Sequence, residues 1–183
     1  FKQKTAYEIK ECDWSSDVCS SDLGAFFDIA ITGKGAHGAR PEAGIDPVLV
    51  ASQIVVALQS IVSRNVRPVD PAVVSVTMIH SGDAYNVIPQ TAKLAGTVRA
   101  FTHESMTLIE SAMRRVVTAT AQAFGAKAEL DFRLTFAPTV NDAKEAEFAA
   151  AVCADVAGAG NVHRNPNLIA ASEDFSFMLE KVP

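Results

Sequence analysis

An α+β fold in the order β-α-β-β-α-β is what this sequence predicts, on three observations. Three segments alternate apolar and polar residues strictly, two longer segments repeat apolar residues at helical spacing, and the helical segments fall between strands. The chain has 183 residues, 49% of them hydrophobic and 20% charged. That is enough for one ordinary core, or for a small domain and a piece of another.

The first strand is carried by Phe27, Ile29 and Ile31, which alternate with Asp28, Ala30 and Thr32. The run Gly33 to Gly38, GKGAHG, is expected to be a loop, because its glycines leave little to hold regular structure. Asp46-Pro47 then opens a helix whose apolar stripe is Ala51, Ile54, Val55, Leu58, Ile61 and Val62, and Pro68 and Pro71 end that segment. Val73 to Ile79 is short and β-branched, hence a strand. A turn at Ser81-Gly82-Asp83 leads through Asn86-Val87-Ile88-Pro89 to the strand Thr91 to Phe101. That strand puts Lys93, Thr97 and Arg99 on one face and Leu94, Val98 and Ala100 on the other. Leu108, Ile109, Ala112, Met113, Val116 and Ala119 mark a second helix. Ala128 to Phe136 closes the unit, with Leu130, Phe132, Leu134 and Phe136 opposite Glu129, Asp131 and Arg133. The order is that of a split βαβ, or ferredoxin-like, domain, whose sheet has one face under two helices. In such a sheet Val73 to Ile79 lies at the margin, where unpaired backbone groups can pair with a second copy.

Pro138 marks a boundary. Beyond it, Ala143 to Ala157 reads as an Ala-rich helix, Asn167 to Ala171 as a short strand, and Ser172 as the N-cap of a further helix. The expected division is therefore 1–23, 24–136 and 137–183. The first 23 residues hold Cys12, Trp14, Cys19 and a Ser/Asp cluster, with no periodicity. Lys2 to Ile9 (KQKTAYEI) and Asp13 to Leu23 (DWSSDVCSSDL) resemble the two translated halves of a common sequencing-library adapter, with Lys10-Glu11-Cys12 in its variable index. This stretch is expected to be foreign to the fold. Setting it aside leaves Cys153, on an apolar helix face where a buried, inert thiol is expected. No disulfide framework remains, in keeping with a reducing compartment.

A formal net charge of −5 provides no sequence-wide basic field for nucleic acid or anionic lipid. No apolar run reads as long enough to span a bilayer, and no signal-peptide pattern opens the chain. The expectation is a soluble, cytoplasmic protein without nucleic-acid or membrane partners, and the missing start methionine reads as a sign that the chain is incomplete. RNA-recognition domains share this topology, but the central strands here offer Val, Thr and Ala where stacking aromatics are needed.

Chemistry could reside in His37, Asn86 and Arg99, with Ser172-Glu173-Asp174-Phe175 as a second cluster. On spacing alone His37 reads as a solvated loop histidine, although the small neighbours would let its imidazole approach a ligand closely. The glycine run is no phosphate loop, since it lacks G-x-x-x-x-G-K-[ST]. Asn86 reads as a turn residue. Arg99 is either a surface ion-pairing group or a bidentate clamp for a carboxylate. His80, His103 and His163 read as solvated, and no histidine or carboxylate pair has metal-ligand spacing. By themselves these residues also fit a non-enzymatic dimerisation or small-ligand-binding module.

Together, five blocks resemble the dinuclear-metal amidohydrolases that cleave N-acyl amino acids. They are GKGAHGARPEAGIDP (Gly33 to Pro47), SGDAYNVIP (Ser81 to Pro89), GTVRAF (Gly96 to Phe101), PTVND (Pro138 to Asp142) and SEDFS (Ser172 to Ser176), in family order. The resemblance covers nearly everything from Gly24 onward and implies a satellite dimerisation domain over 24–136, followed by part of an α/β metallohydrolase catalytic domain. It implies a homodimer, an N-acyl amino acid substrate and two divalent ions, manganese or zinc. In that family a glutamate acts as general base on a metal-bridging water that attacks the amide carbonyl. The resemblance further implies that His37 reaches the neighbouring subunit's site and donates a hydrogen bond to the developing oxyanion. Asn86 and Arg99 match positions that help bind the substrate carboxylate, and Glu173 and Asp174 are expected to give packing or outer support near the cleft. Glu42 departs from the family, in which histidine often follows the proline. The family's metal ligands would precede residue 24 or follow residue 183, so the chain by itself is expected to be inactive.

Overall fold

A computed structural model describes residues 22–137, 141–162, 175–179 and 181. The chain divides into two compact units, one spanning Leu23–Thr135 and the other including the described residues from Phe136 onward. The strand expected at Asn167 to Ala171, and Ser172, Glu173 and Asp174, lie outside the described residues, as does the tail before Asp22.

The first unit grows from the alternation. Strand β1 (Leu23–Thr32) turns Leu23, Ala25, Phe27, Ile29 and Ile31 to one side, all essentially inaccessible to solvent. Leu23, placed with the foreign tail on sequence grounds, starts this strand because its parity matches that of the following core residues. Helix α1 (Pro47–Arg64) begins at Asp46, whose carboxylate accepts from the Val48 amide at 2.8 Å, with Pro47 in the first turn. Its buried stripe is Val50, Ala51, Ile54, Leu58 and Ile61, with Val55 and Val62 packed at the rim. Strand β3 (Ala72–Ser81) and strand β5 (Thr91–Ala100) follow. Helix α2 (His103–Ala123) is capped by Thr102, whose Oγ1 accepts from Ser105 N at 3.1 Å. Strand β6 (Lys127–Phe136), all but its last residue within this unit, completes it.

The four long strands lie in the order β3-β5-β1-β6. Each helix thus connects two strands that have a third inserted between them, which is what makes the βαβ split. β5 runs antiparallel to both β1 and β3, with Phe26 opposite Thr97, Phe27 opposite Gly96 and Val76 opposite Gly96. Both helices pack on the same face of the sheet and on each other, enclosing one apolar core. β3 stands at the margin, as expected, and carries a register shift between Val76 and Met78 that leaves Met78 and Ile79 half exposed.

The structure departs from the expectations at five further places. The glycine run is not wholly irregular: Ala36–His37 forms a short strand β2, paired with β4 (Val87–Ile88). The inward stripe of α2 is Met106, Ile109, Ala112, Met113, Val117 and Ala121, with Val116 at the rim. Leu108 and Ala119 face outward, because the expected stripe mixed two helical phases. Leu134 on β6 is 52% exposed, whereas Leu130 and Phe132 pack against the core. The 18-residue helix Pro47–Arg64 is long and apolar enough to cross a membrane by length and composition alone. Here it is the central core helix, with its serines and glutamines on the outer side. Cys153 is half-buried rather than enclosed.

In the second unit, helix α3 (Ala143–Ala157) starts at Asp142, whose carboxylate accepts from Lys144 N and Glu145 N. Only Ala150 on it is buried, and Phe148, Val152 and Val156 lie open to solvent at i, i+4 and i+8. Helix α4 (Phe175–Leu179) is a single short turn-and-a-half.

Candidate functional site

The loop after β1 is held by main-chain bonds at several points. Lys34 and Ile45 exchange N–H···O bonds of 2.9 Å each, Gly33 N donates to Gln90 O at 2.9 Å, and Gly38 N donates to Asn86 O at 2.7 Å. With the β2–β4 pairing of His37 to Val87, these fix the backbone on both sides of the histidine. Glycine at 33 is dictated by close approach, since a Cβ there would lie 2.2 Å from the Ile45 carbonyl oxygen. His37 is therefore a solvent-facing side chain on a tethered loop.

One hydrogen bond sets its tautomer. Ala39 N donates to His37 Nδ1 at 3.1 Å, and the His37 carbonyl accepts from Arg40 N at 2.8 Å. A nitrogen that accepts cannot carry the hydrogen, so the neutral ring carries it on Nε2. Nε2–H is the ring's outward donor, which suits a hydrogen bond to an incoming carbonyl oxygen. Asn86 contributes its main chain to this arrangement, and its side chain is exposed beside it.

Arg99 occupies a different place. It lies half-buried on the face of the sheet opposite the helices. Its Nη1 donates to Thr97 Oγ1 and, at 3.0 Å, to Val98 O. The guanidinium carbon stands 5.9 Å from the centre of the Phe26 ring, within range of a cation–π contact. Thr97 Oγ1 in turn donates to Ala25 O at 3.2 Å. Neither Phe26 nor Thr97 is among the site residues expected from the sequence. The signal for Phe26 was present, because the second aromatic in Phe26-Phe27 satisfies the core and the first must then face outward. Phe26, 42% exposed, is an aromatic on the open face of a central strand, which the sequence reading had left without one.

The structure brings His37 and the Asn86 main chain together but not Arg99. Gln90 is bonded to the His37 loop, and Arg99 is eight residues beyond Thr91 on β5. At the rise of an extended strand, eight steps span roughly 25 Å. Arg99 thus stands at the far end of β5 from the loop that carries His37. Among the described residues no three His, Cys, Asp or Glu side chains converge as a metal site would require. These residues do not fit a metal centre, and Glu173 and Asp174 are outside the described set.

Comparison with known proteins places this framework. A family model described as the peptidase dimerisation domain of the M20 group matches residues 24–125. Hippurate hydrolase of Campylobacter jejuni is 37% identical over 163 residues, covering 89% of this chain and 42% of that enzyme. N-acetylcysteine deacetylase of Bacillus subtilis is 39% identical over 157 residues, covering 86% and 40%. A crystal structure from Bacillus subtilis, described as a dinuclear metal binding peptidase from the M20 family, superposes with a TM-score of 0.68 at 28% identity. That match covers 91% of this chain and 40% of the other. The chain thus spans about two fifths of the length of these relatives. With its matched domain and these relatives in agreement, the chain belongs to the M20 peptidase dimerisation-domain family.

Proposed function

We propose that this chain is the dimerisation portion of a metal-dependent hydrolase that cleaves the amide bond of N-acyl amino acids. It donates His37 to the active site of the second subunit. In the complete enzyme two divalent ions, manganese or zinc, would be held by residues other than those described here, and they would supply the activated water. What this chain supplies is a donor and a clamp. His37 Nε2–H would meet the carbonyl oxygen as negative charge develops on it. The guanidinium of Arg99 would hold the substrate carboxylate.

The observation that carries the reading is the Ala39 N–H···Nδ1 bond on a tethered loop, which pre-orients an imidazole as an outward donor. Its separation from Arg99 adds a constraint. An acyl amino acid is far shorter than roughly 25 Å, so the two residues of one chain cannot serve the same substrate molecule. In a symmetric dimer they can, if each site takes His37 from one copy and Arg99 from the other. Asn86 would accompany His37, and Glu173 and Asp174 would support the cleft from outside the first contacts.

The test is a steady-state comparison of the complete enzyme with its His37→Ala variant on hippurate and acetyl-amino acids. A donor that acts only in the transition state predicts a kcat lower by about a hundred-fold or more with little change in KM. Unchanged turnover would remove the proposal. In the same assay the present chain, supplied with manganese or zinc, is expected to release no amino acid.

A further inference from the structure

We propose that Thr97 and Phe26 are positioning residues for Arg99, and that they aim its guanidinium along the open face of the sheet. The inference rests on the carboxylate-binding reading of Arg99 given above. Thr97 and Phe26 are direct cross-strand partners on β5 and β1, so the pairing register itself sets hydroxyl and ring side by side. Arg99 follows Thr97 by two residues and therefore shares its face. Directly opposite Arg99 stand Gly24 on β1 and Val73 on β3. Gly24 brings no side chain, which leaves room for the long arginine to fold back over Phe26.

The direction of the hydrogen bonds makes this seat specific. The one hydrogen of the Thr97 hydroxyl goes to the Ala25 carbonyl, a main-chain group fixed in the sheet. The hydroxyl lone pairs are thereby turned to Arg99 Nη1, which also donates to Val98 O. A guanidinium is planar, so fixing Nη1 at two acceptors and laying the group near the Phe26 ring restrains both its position and its plane. Bidentate recognition of a carboxylate depends on that plane, and an arginine free to rotate would lose binding entropy on every encounter.

The test uses the complete dimeric enzyme. The ratio of kcat/KM for an N-acyl amino acid to that for its carboxamide reports how well the guanidinium holds the carboxylate. Thr97→Val keeps the shape and removes the hydroxyl. It is expected to raise KM for the acid about ten-fold, the share of one charge-assisted hydrogen bond, while kcat and the carboxamide's KM stay unchanged. Phe26→Leu is expected to lower the ratio by a smaller factor, about three-fold. Thr97→Ser restores the hydroxyl and is expected to keep the original ratio, which a purely steric role of the threonine methyl would not predict. An unaltered ratio in Thr97→Val overturns the proposal. Arg99→Met separates it from the reading beneath it. A ratio lost in Arg99→Met but kept in Thr97→Val removes the positioning role alone. A ratio that Arg99→Met leaves intact removes the carboxylate clamp and this proposal together.

Discussion

At the scale of single residues, the chain mixes functional and structural reasons within the same motifs. Glycine is a case in point. GKGAHG and GTVRAF both invite a functional reading, yet Gly33 is required by the Ile45 carbonyl and Gly96 by packing inside the sheet. A Cβ on Gly96 would lie 2.0 Å from Ser75 O and 2.6 Å from Phe27 Cζ. Both partners sit in the core sheet and cannot withdraw, because Phe27 is fully buried and Ser75 is opposite Thr97 on the neighbouring strand. Gly96→Ala is therefore expected to destabilise the domain by about 3 kcal/mol, read as a lower urea midpoint at unchanged slope. An unshifted midpoint would show that the strands separate there at no cost. His37 itself was legible in the sequence as a candidate. Its tautomer was not, since that depends on the Ala39 amide, whose direction is set by the turn and not by residue type.

At the scale of elements, alternation made the strands readable and one parity rule explains most of the core. The reading slipped where two signals overlapped. In α2, Leu108 and Ala119 are apolar but lie off the buried stripe. In Gly33 to Gly38, a two-residue strand gives no periodicity to detect, because its pairing is supplied by Val87–Ile88, far along the chain. The separation of Arg99 from His37 could not be read at all. It follows from the direction of β5, which carries Arg99 away from the loop that Gln90 anchors. The marginal position of β3 was predicted and has a consequence. Its outer edge offers backbone donors and acceptors, and Met78 and Ile79 are half exposed beyond the register shift. Size-exclusion chromatography with light scattering is expected to show a concentration-dependent dimer for this chain. A monomer at all accessible concentrations would count against pairing through this edge.

At the scale of the whole molecule, the unit Leu23–Thr135 has its own core, whereas α3 leaves Phe148, Val152 and Val156 uncovered. The first is equipped to stand as a domain and to present the histidine loop rigidly. In the proposed enzyme, groups from the two ends of this unit meet in one site, and two-fold symmetry is the simplest way to bring them together. The most direct measurement of this claim is subunit complementation in the complete enzyme. His37→Ala and Arg99→Met homodimers are each expected to be strongly impaired. Mixed and allowed to exchange, they form hybrids in which one of the two sites has an intact imidazole from one copy and an intact guanidinium from the other. The account predicts that activity reappears on mixing, with the KM of the unmodified enzyme. If the hybrids remain as inactive as their parents, both groups serve the same site from the same chain, and the trans arrangement is contradicted.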